Sequence, residues 1–157
     1  LGAIGQKVAQ IASAFGSEIV YYSTSGKNDN SKYKRVDLDE LLSTSRIVSI
    51  HAPLNEKTRG LIGEKEFSMM RKDAILINVG RGFIVDEEAL AKALDEGKIW
   101  GACLDVMAKE PLPANSPLLS IKNKDQLFVS PHVAWTSQEA LHSLLSKTAK
   151  NITDFLV

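Results

Sequence analysis

The 157-residue sequence predicts an α/β fold built on a doubly wound parallel sheet. Short apolar runs alternate along the chain with segments whose apolar residues recur at helical spacing. Polar residues follow the ends of these runs, at the sheet edge where open α/β folds bind their ligands. The composition, 44% hydrophobic and 24% charged, allows one domain-sized core, and we expect helices on both faces of the sheet.

Charge and cysteine content narrow the possible partners. The formal net charge is +0, from 19 basic and 19 acidic residues, which argues against nucleic acid or a membrane surface as the main partner. No apolar run approaches the roughly 20 residues of a membrane span, and no signal peptide is recognisable, so we expect a cytoplasmic protein. Cys103 is the single cysteine, and we expect neither an intrachain disulfide nor a metal site.

The chain opens on a glycine loop, from Gly2 to Gly5, and a helix is predicted from Gln6 to Phe15 with Val8 on its apolar face. Glycines before a helix let a phosphate approach the free backbone N–H groups. One more glycine before the chain's first residue would complete the dinucleotide fingerprint Gly-x-Gly-x-x-Gly. With half of it present, phosphate binding and a plain packing turn are equal alternatives. We expect the chain to be part of a longer one, with a central strand missing before the loop.

The next predicted strand runs from Glu18 to Tyr22 and is rich in β-branched and aromatic residues. The fingerprint expects an acidic residue at the end of this strand, where it binds the ribose 2′-hydroxyl. The sequence has Ser23 and Thr24 there, with Lys27 nearby, and these groups could accept a 2′-phosphate. The choice between NAD and NADP is therefore open. The alternative is that residues 23–31 form only a solvated loop.

The middle of the chain continues the alternation. A short helix follows Asp37, which with Glu40 resembles a capping box. A strand from Ile47 to Ile50 ends at His51, which we interpret as a structural loop histidine more readily than as a catalytic one. A helix is expected from Glu64 to Met70, with its apolar residues in the core.

An arginine between two glycines follows the next buried strand. The strand is predicted from Ala74 to Ile77, and a helix from Glu87 to Leu94 follows Asp86 and stops at Gly97. Placing a cation beside the apolar residues of a buried strand costs free energy. We therefore predict that Arg81 binds an anion at this edge of the sheet.

The last part of the chain repeats the strand-to-loop pattern. A strand from Ile99 to Leu104 ends at Asp105, and a proline-rich loop follows it. A strand from Leu127 to Val129 precedes His132. Thr136, with Glu139 three residues on, resembles a capping box. From there we predict a long helix toward Phe155 with an apolar stripe formed by Leu141, Leu144, Leu145, Ala149 and Ile152, and with His142 on its surface.

Arg81, Asp105, Glu110 and His132 all lie at or just beyond strand ends, and parallel strands bring those ends to one edge. Singly, Glu110 could be a loop charge and Asp105 could cap a turn. Together they suit hydride transfer to a carbonyl beside a carboxylate. An arginine can grip the carboxylate with two charge-assisted bonds. A histidine held by a second carboxylate can exchange a proton with the carbonyl oxygen.

Several motifs in this order resemble the D-isomer-specific 2-hydroxyacid dehydrogenases: His51 to Leu54 with Thr58, Asn78 to Gly82, Leu104 to Val106 with Glu110, and Ser130 to Trp135. The last motif resembles the version of this loop in the glycerate or hydroxypyruvate reductase branch of the family. The resemblance implies a Rossmann-like fold and a catalytic set in which Arg81 binds substrate, His132 is the acid/base and Glu110 is its partner. It also implies a cofactor surface, in which Asp105 would contact the nicotinamide carboxamide. The residues of this surface would be Gly2, Ala3, Ile4, Gly5, Ser23, Thr24, His51, Ala52, Pro53, Thr58, Val79, Gly80, Asp105 and Trp135.

The resemblance also implies the wider organisation of the protein. Residues 1–157 would form a partial dinucleotide-binding domain, the substrate domain would lie outside this chain, and the enzyme would be a homodimer that acts on a small 2-oxo acid with NAD or NADP. Two other hypotheses remain. One is a dinucleotide-sensing binding protein, similar to co-repressors of this fold, without turnover. The other is a truncated fragment that is inactive alone.

Overall fold

The computed structural model describes residues 1–27, 30 and 32–156, so positions 28, 29 and 31 of the predicted loop lie outside the described residues. The helices are α1 (Ala3–Ala14), α2 (Leu38–Thr44), α3 (Glu64–Met69), α4 (Glu87–Asp95) and α5 (Gln138–Leu156). The strands are β1 (Val20–Tyr21), β2 (Lys34–Arg35), β3 (Ile47–Ile50), β4 (Ile75–Asn78), β5 (Gly101–Leu104) and β6 (Leu127–Val129). No helix in this part of the chain is long and apolar enough to cross a membrane.

The central sheet has the order β3-β4-β5-β6, and every pairing is parallel. Ile50, Asn78 and Leu104 are in register, and Val129 follows on the fourth strand, so all four strands end at one edge. This confirms the predicted α/β class. Among the described residues, β1 pairs in parallel with β2 as a separate two-stranded sheet.

The core lies on one face of the central sheet. Val48, Leu76 and Leu104 point into it, and Phe67 of α3 and Leu90 of α4 pack there. Complete burial of a side chain of this size contributes about 1.5–3 kcal/mol. This layer of strands and helices is what holds the loops at the carboxyl edge in place.

The opposite face is more open than predicted. Ile47 and Phe128 are 58% and 65% exposed, and Ile77 and Cys103 are only partly buried. Among the described residues, α1 has only Gly5 and Ala9 buried and so covers little apolar surface. α5 has no buried residue.

The first helix begins earlier than predicted. It starts at Ala3 rather than Gln6, with Gly2 at the N-cap position, so Gly5 lies inside its first turn. Gly5 is buried, and a Cβ atom there would meet a Leu1 methyl at 3.2 Å and the His51 Cβ at 3.7 Å. The predicted apolar face is largely exposed, with Phe15 88% exposed.

Two predicted capping boxes are wrong in detail. Asp37 occupies the N-cap position of α2 but makes no side-chain cap bond, and the Glu40 carboxylate pairs with Lys34 at 2.7 Å. Thr136 lies before α5 and donates to the Val133 carbonyl oxygen, and Ser137 instead accepts from the Ala140 N–H group. In contrast, Asp86 accepts two backbone N–H groups at the start of α4, as its position predicts.

Candidate active site

The loops after β4, β5 and β6 surround an open cleft at the carboxyl edge of the sheet. Its volume is about 240 Å³. The lining includes Leu54, Arg81, Phe83, Met107, Glu110 and His132. The structure thus brings together the three residues of the predicted catalytic set. A cation, a carboxylate and an imidazole therefore line the same cleft.

Glu110 and His132 form a hydrogen-bonded pair within the cleft. The His132 Nδ1 atom lies 2.7 Å from Oε2 of Glu110, and Oε1 accepts the Met107 N–H at 3.0 Å. The hydrogen bond from His132 holds the pKa of Glu110 below its usual range, and the Met107 N–H adds to the effect. A carboxylate at Nδ1 favours a proton on that nitrogen and leaves Nε2 for a ligand.

His132 also has an uncommon backbone. Its φ angle is +55°, in the left-handed region that few residues other than glycine adopt. Such strain persists where surrounding bonds hold the backbone in place. Here the Trp135 indole Nε1 donates to the His132 carbonyl oxygen at 2.9 Å. The loop therefore presents the imidazole in one defined direction.

Asp105 holds this histidine loop from beneath. The residue is only 5% exposed. Oδ1 accepts from the Ser130 hydroxyl at 2.6 Å and the Val133 N–H at 2.8 Å, and Oδ2 accepts from the Ala134 N–H at 2.9 Å. Burial acts to raise the pKa of Asp105, but these three hydrogen bonds outweigh it and lower the pKa. Asp105 is therefore an ionised anchor for the loop that carries His132.

The turn that carries Arg81 is organised by Asn78. This side chain is fully buried, its Nδ2 donates to the Arg81 carbonyl oxygen and its Oδ1 accepts the Gly80 N–H, both at 3.0 Å. A Cβ atom at Gly80 would lie 3.2 Å from the Ala52 carbonyl oxygen, so the turn packs against the loop after β3. Arg81 is exposed, and its Nη1 donates to the Gly80 carbonyl oxygen at 2.7 Å. Arg81 also lines the cleft.

Gly82 touches the loop after β5. A Cβ atom there would lie 1.9 Å from the Met107 carbonyl carbon and 2.3 Å from the Ala108 nitrogen. On the same loop, the Ala108 N–H donates to Oε1 of Glu87 at 2.6 Å. Glycine is therefore required at position 82 by close approach of two backbones.

The predicted cofactor surface begins at α1. No side chain caps this helix, so its first N–H groups are open to an anion. His51 packs beside Gly5, is half-buried and shares a hydrogen bond of 2.9 Å with the Ser49 hydroxyl. Burial lowers the pKa of His51, which favours the neutral ring near pH 7. Its place is between the glycine loop and β3, away from the cleft lining.

Two hydroxyl groups of the predicted cofactor surface are engaged within the protein. The Ser23 hydroxyl donates to the Lys27 carbonyl oxygen at 2.7 Å. Thr58 is fully buried, donates to the Pro53 carbonyl oxygen at 2.7 Å and accepts the Asn55 N–H at 2.8 Å. The Thr58 side chain thus lies beneath the loop after β3 and shapes it, and a place for Thr58 at the cofactor surface stays a prediction.

Comparison with known protein families agrees with this geometry. Residues 1–134 match the model of the D-isomer specific 2-hydroxyacid dehydrogenase NAD binding domain. The chain belongs to the D-isomer-specific 2-hydroxyacid dehydrogenase family. A glyoxylate reductase of Aeropyrum pernix is 45% identical over 99% of this chain and 46% of its own length. The chain thus spans about half the length of the curated relatives it matches.

Solved structures of similar proteins support the fold of this family member. The D-lactate dehydrogenase of Aquifex aeolicus, complexed with NAD and lactic acid, superposes with a TM-score of 0.89 at 29% identity, over 99% of this chain and 50% of that one. An acyclic imino acid reductase in complex with NADPH and D-Arg superposes with a TM-score of 0.88 at 35% identity, over 99% and 48%. The predicted Rossmann-like fold is confirmed.

In this dehydrogenase-family domain, three supporting residues had no role in the sequence interpretation. Asn78 and Gly82 lie inside the recognised motif, and Glu87 begins the following helix. A side-chain amide two residues before a glycine turn is a usable signal for Asn78. The sequence carries no local signal for Glu87, whose partner is 21 residues away.

Proposed function

We propose that the protein containing this chain is an NAD(P)H-dependent D-2-hydroxyacid dehydrogenase that reduces small 2-oxo acids and oxidises the corresponding 2-hydroxy acids. One observation carries the proposal: Arg81 and the hydrogen-bonded pair of Glu110 and His132 line the same cleft. Family membership of residues 1–134 supports it.

Each of the three residues has its own role in the proposed reaction. Arg81 binds the substrate carboxylate with its planar guanidinium. His132 donates a proton from Nε2 to the carbonyl oxygen during reduction and takes it back during oxidation. Glu110 keeps the imidazole oriented through its hydrogen bond to Nδ1. The nicotinamide, when bound, supplies or accepts the hydride.

The residues at the amino end of α1 fit a dinucleotide. No side chain caps the helix, and Gly2 and Gly5 place no side chain of their own beside its first N–H groups, which suits a pyrophosphate. Ala3 and Ile4 would contribute backbone N–H groups. We propose that Ala52, Pro53, Val79 and Gly80 extend this surface toward the cleft, and that Asp105 and Trp135 border the nicotinamide.

The choice between NAD and NADP follows from residues after β1. Ser23 and Thr24 stand where this type of fold commonly has an acidic residue for the ribose. Without a carboxylate at position 23 or 24, neither residue repels a 2′-phosphate, so we propose that both cofactors bind. Relatives of similar fold include one complexed with NAD and one with NADPH.

The substrate class is a small 2-oxo acid such as glyoxylate or hydroxypyruvate. The similarity to a glyoxylate reductase and the motif from Ser130 to Trp135 support this choice. We further propose a cytoplasmic homodimer. Exposed apolar side chains on α1 and α5, such as Phe15 and Leu145, support burial against further protein. Light scattering of the full-length protein would measure its oligomeric state.

The direct test mixes the full-length protein with NADH or NADPH and, in turn, glyoxylate, hydroxypyruvate and pyruvate. The proposal expects loss of reduced-nicotinamide absorbance with at least one acid, and formation of the D product. If either cofactor binds but no acid is reduced, a dinucleotide-sensing binding protein without turnover becomes the better explanation. An intact mass near that of the relatives' full chains excludes the truncated fragment.

A further inference from the structure

We infer that Glu87 is a positioning residue that fixes the loop presenting Glu110 to His132. The inference deepens the proposed function and rests on it, since it concerns the same cleft. Glu87 does not itself line the cleft, but its carboxylate accepts a hydrogen bond from the backbone N–H of Ala108, which does. Its effect is carried by the backbone of Ala108.

The contact joins two elements that are distant in sequence. Glu87 is the first residue of α4 and is half-buried, and its Oε1 lies 2.6 Å from the Ala108 nitrogen. The preceding N–H group, that of Met107, donates to Oε1 of Glu110 at 3.0 Å. Two successive N–H groups of one loop therefore each bind a carboxylate. One carboxylate is the partner of the histidine, and the other ties the loop to α4.

The opposite side of this loop is held by Gly82. The Met107–Ala108 peptide lies so close to Gly82 that a Cβ atom there would overlap it. The segment from Arg81 to Glu87 thus touches the loop at both of its ends. Because the same segment carries Arg81, the group that binds the substrate carboxylate and the pair that moves the proton are held as one unit.

Glu87 is not needed to cap its own helix. Asp86 already accepts the N–H groups of Glu88 and Ala89. Glu88, the next residue, is exposed and has the same charge in the same helical turn. A general interaction with the positive end of α4 would apply to both glutamates. Of the two glutamates as the structure describes them, Glu87 alone binds the loop after β5, which makes Glu88 a matched control.

The test compares Glu87→Ala, Glu87→Gln and Glu88→Ala in the full-length protein. Loss of one charge-assisted hydrogen bond from the loop should lower kcat roughly tenfold in Glu87→Ala, with the Kd for NADH unchanged within about twofold. Glu87→Gln keeps an acceptor oxygen and should recover most of the lost rate. Glu88→Ala should behave as wild type.

Amide hydrogen exchange provides a readout that needs no turnover. Exchange of the segment 106–110 should be roughly tenfold faster in Glu87→Ala than in Glu88→Ala, and nearly normal in Glu87→Gln. Equal rates and equal exchange in the two alanine variants would overturn the inference. If Glu87→Ala does not fold, Glu87→Asp takes its place in the test, because aspartate is one methylene shorter and withdraws the acceptor oxygen from the loop. A wild-type protein that reduces no 2-oxo acid contradicts the proposed function, while the exchange result still decides whether Glu87 holds the loop.

Discussion

The Nδ1 atom of His132 lies 2.7 Å from Oε2 of Glu110, and the other oxygen of the same carboxylate holds the Met107 N–H group. The Glu110 carboxylate thereby fixes both the His132 ring and the loop after β5, to which Glu110 itself belongs. The imidazole has its Nε2 left for a substrate oxygen, and Arg81 borders the same cleft.

Arg81→Lys should lower kcat/KM for a 2-oxo acid about 10- to 150-fold, because lysine cannot form the planar, two-bond grip and one charge-assisted bond of about 1.5–3 kcal/mol is lost. The Kd for NADH, measured by fluorescence, should stay near wild type. Arg71→Lys is the control, since Arg71 pairs with Asp73 instead and is not among the cleft residues. Unchanged kcat/KM in Arg81→Lys would show that Arg81 does not bind the carboxylate.

Glu110→Gln should change how thermal stability depends on pH. Because the pKa of Glu110 is lowered in the folded protein, its ionised form stabilises the fold at pH values above the unfolded carboxyl pKa of about 4.3. That contribution is lost as the pH falls through the lowered, folded value. The Tm difference between wild type and Glu110→Gln should therefore be largest near pH 6–7, and it should shrink roughly below pH 4.

The same pH series on Glu88→Gln corrects for the general loss of one negative charge on an exposed glutamate. A Tm difference for Glu110→Gln that stays constant with pH, or grows as the solution is acidified, would contradict the ionised hydrogen-bonded pair.

Gly82→Ala should destabilise the protein by about 1–3 kcal/mol or more, because the new Cβ atom overlaps the Met107–Ala108 peptide. Movement of that peptide should also lower kcat, since Glu110 lies on the same loop. Thermal unfolding and steady-state kinetics measure both effects. Gly63→Ala is the comparison, as its Cβ atom would meet nothing closer than 3.5 Å. Equal losses in the two variants would mean that close packing at Gly82 is unimportant.

Ser23→Asp should turn the cofactor preference toward NAD. A carboxylate after β1 can bind the ribose hydroxyls but repels a 2′-phosphate, so the Kd ratio of NADPH to NADH should rise roughly tenfold or more. Isothermal titration of both cofactors measures the ratio. Ser17→Asp, on an exposed residue after α1, should leave it unchanged. A ratio that does not move in Ser23→Asp would place the ribose elsewhere.

The sequence predicted the sheet and its functional edge well. The strands Ile47–Ile50 and Leu127–Val129 were predicted to the residue, because short apolar runs between polar loops leave little choice of boundary. The convergence of Arg81 and His132 follows from the parallel order alone, since every strand ends at the same edge.

Side-chain partners were harder to predict because several groups compete for each one. Asp37 stands at an N-cap position without a cap bond, and Glu40 pairs with Lys34 instead. The bond from Ala108 to Glu87 joins residues with no local pattern in common. Periodicity identified the apolar stripe of α5, but periodicity does not say what packs against a stripe, and in the described residues this one is exposed.

The most direct measurement compares turnover and cofactor binding in wild type and His132→Ala of the full-length protein, with His142→Ala as the surface-histidine control. Removal of the proton donor should lower kcat by about 10²- to 10⁴-fold, while the Kd for NADH stays nearly unchanged. A parallel loss of turnover and cofactor affinity, or a kcat close to wild type, would contradict the assignment of His132 as the acid/base of this site.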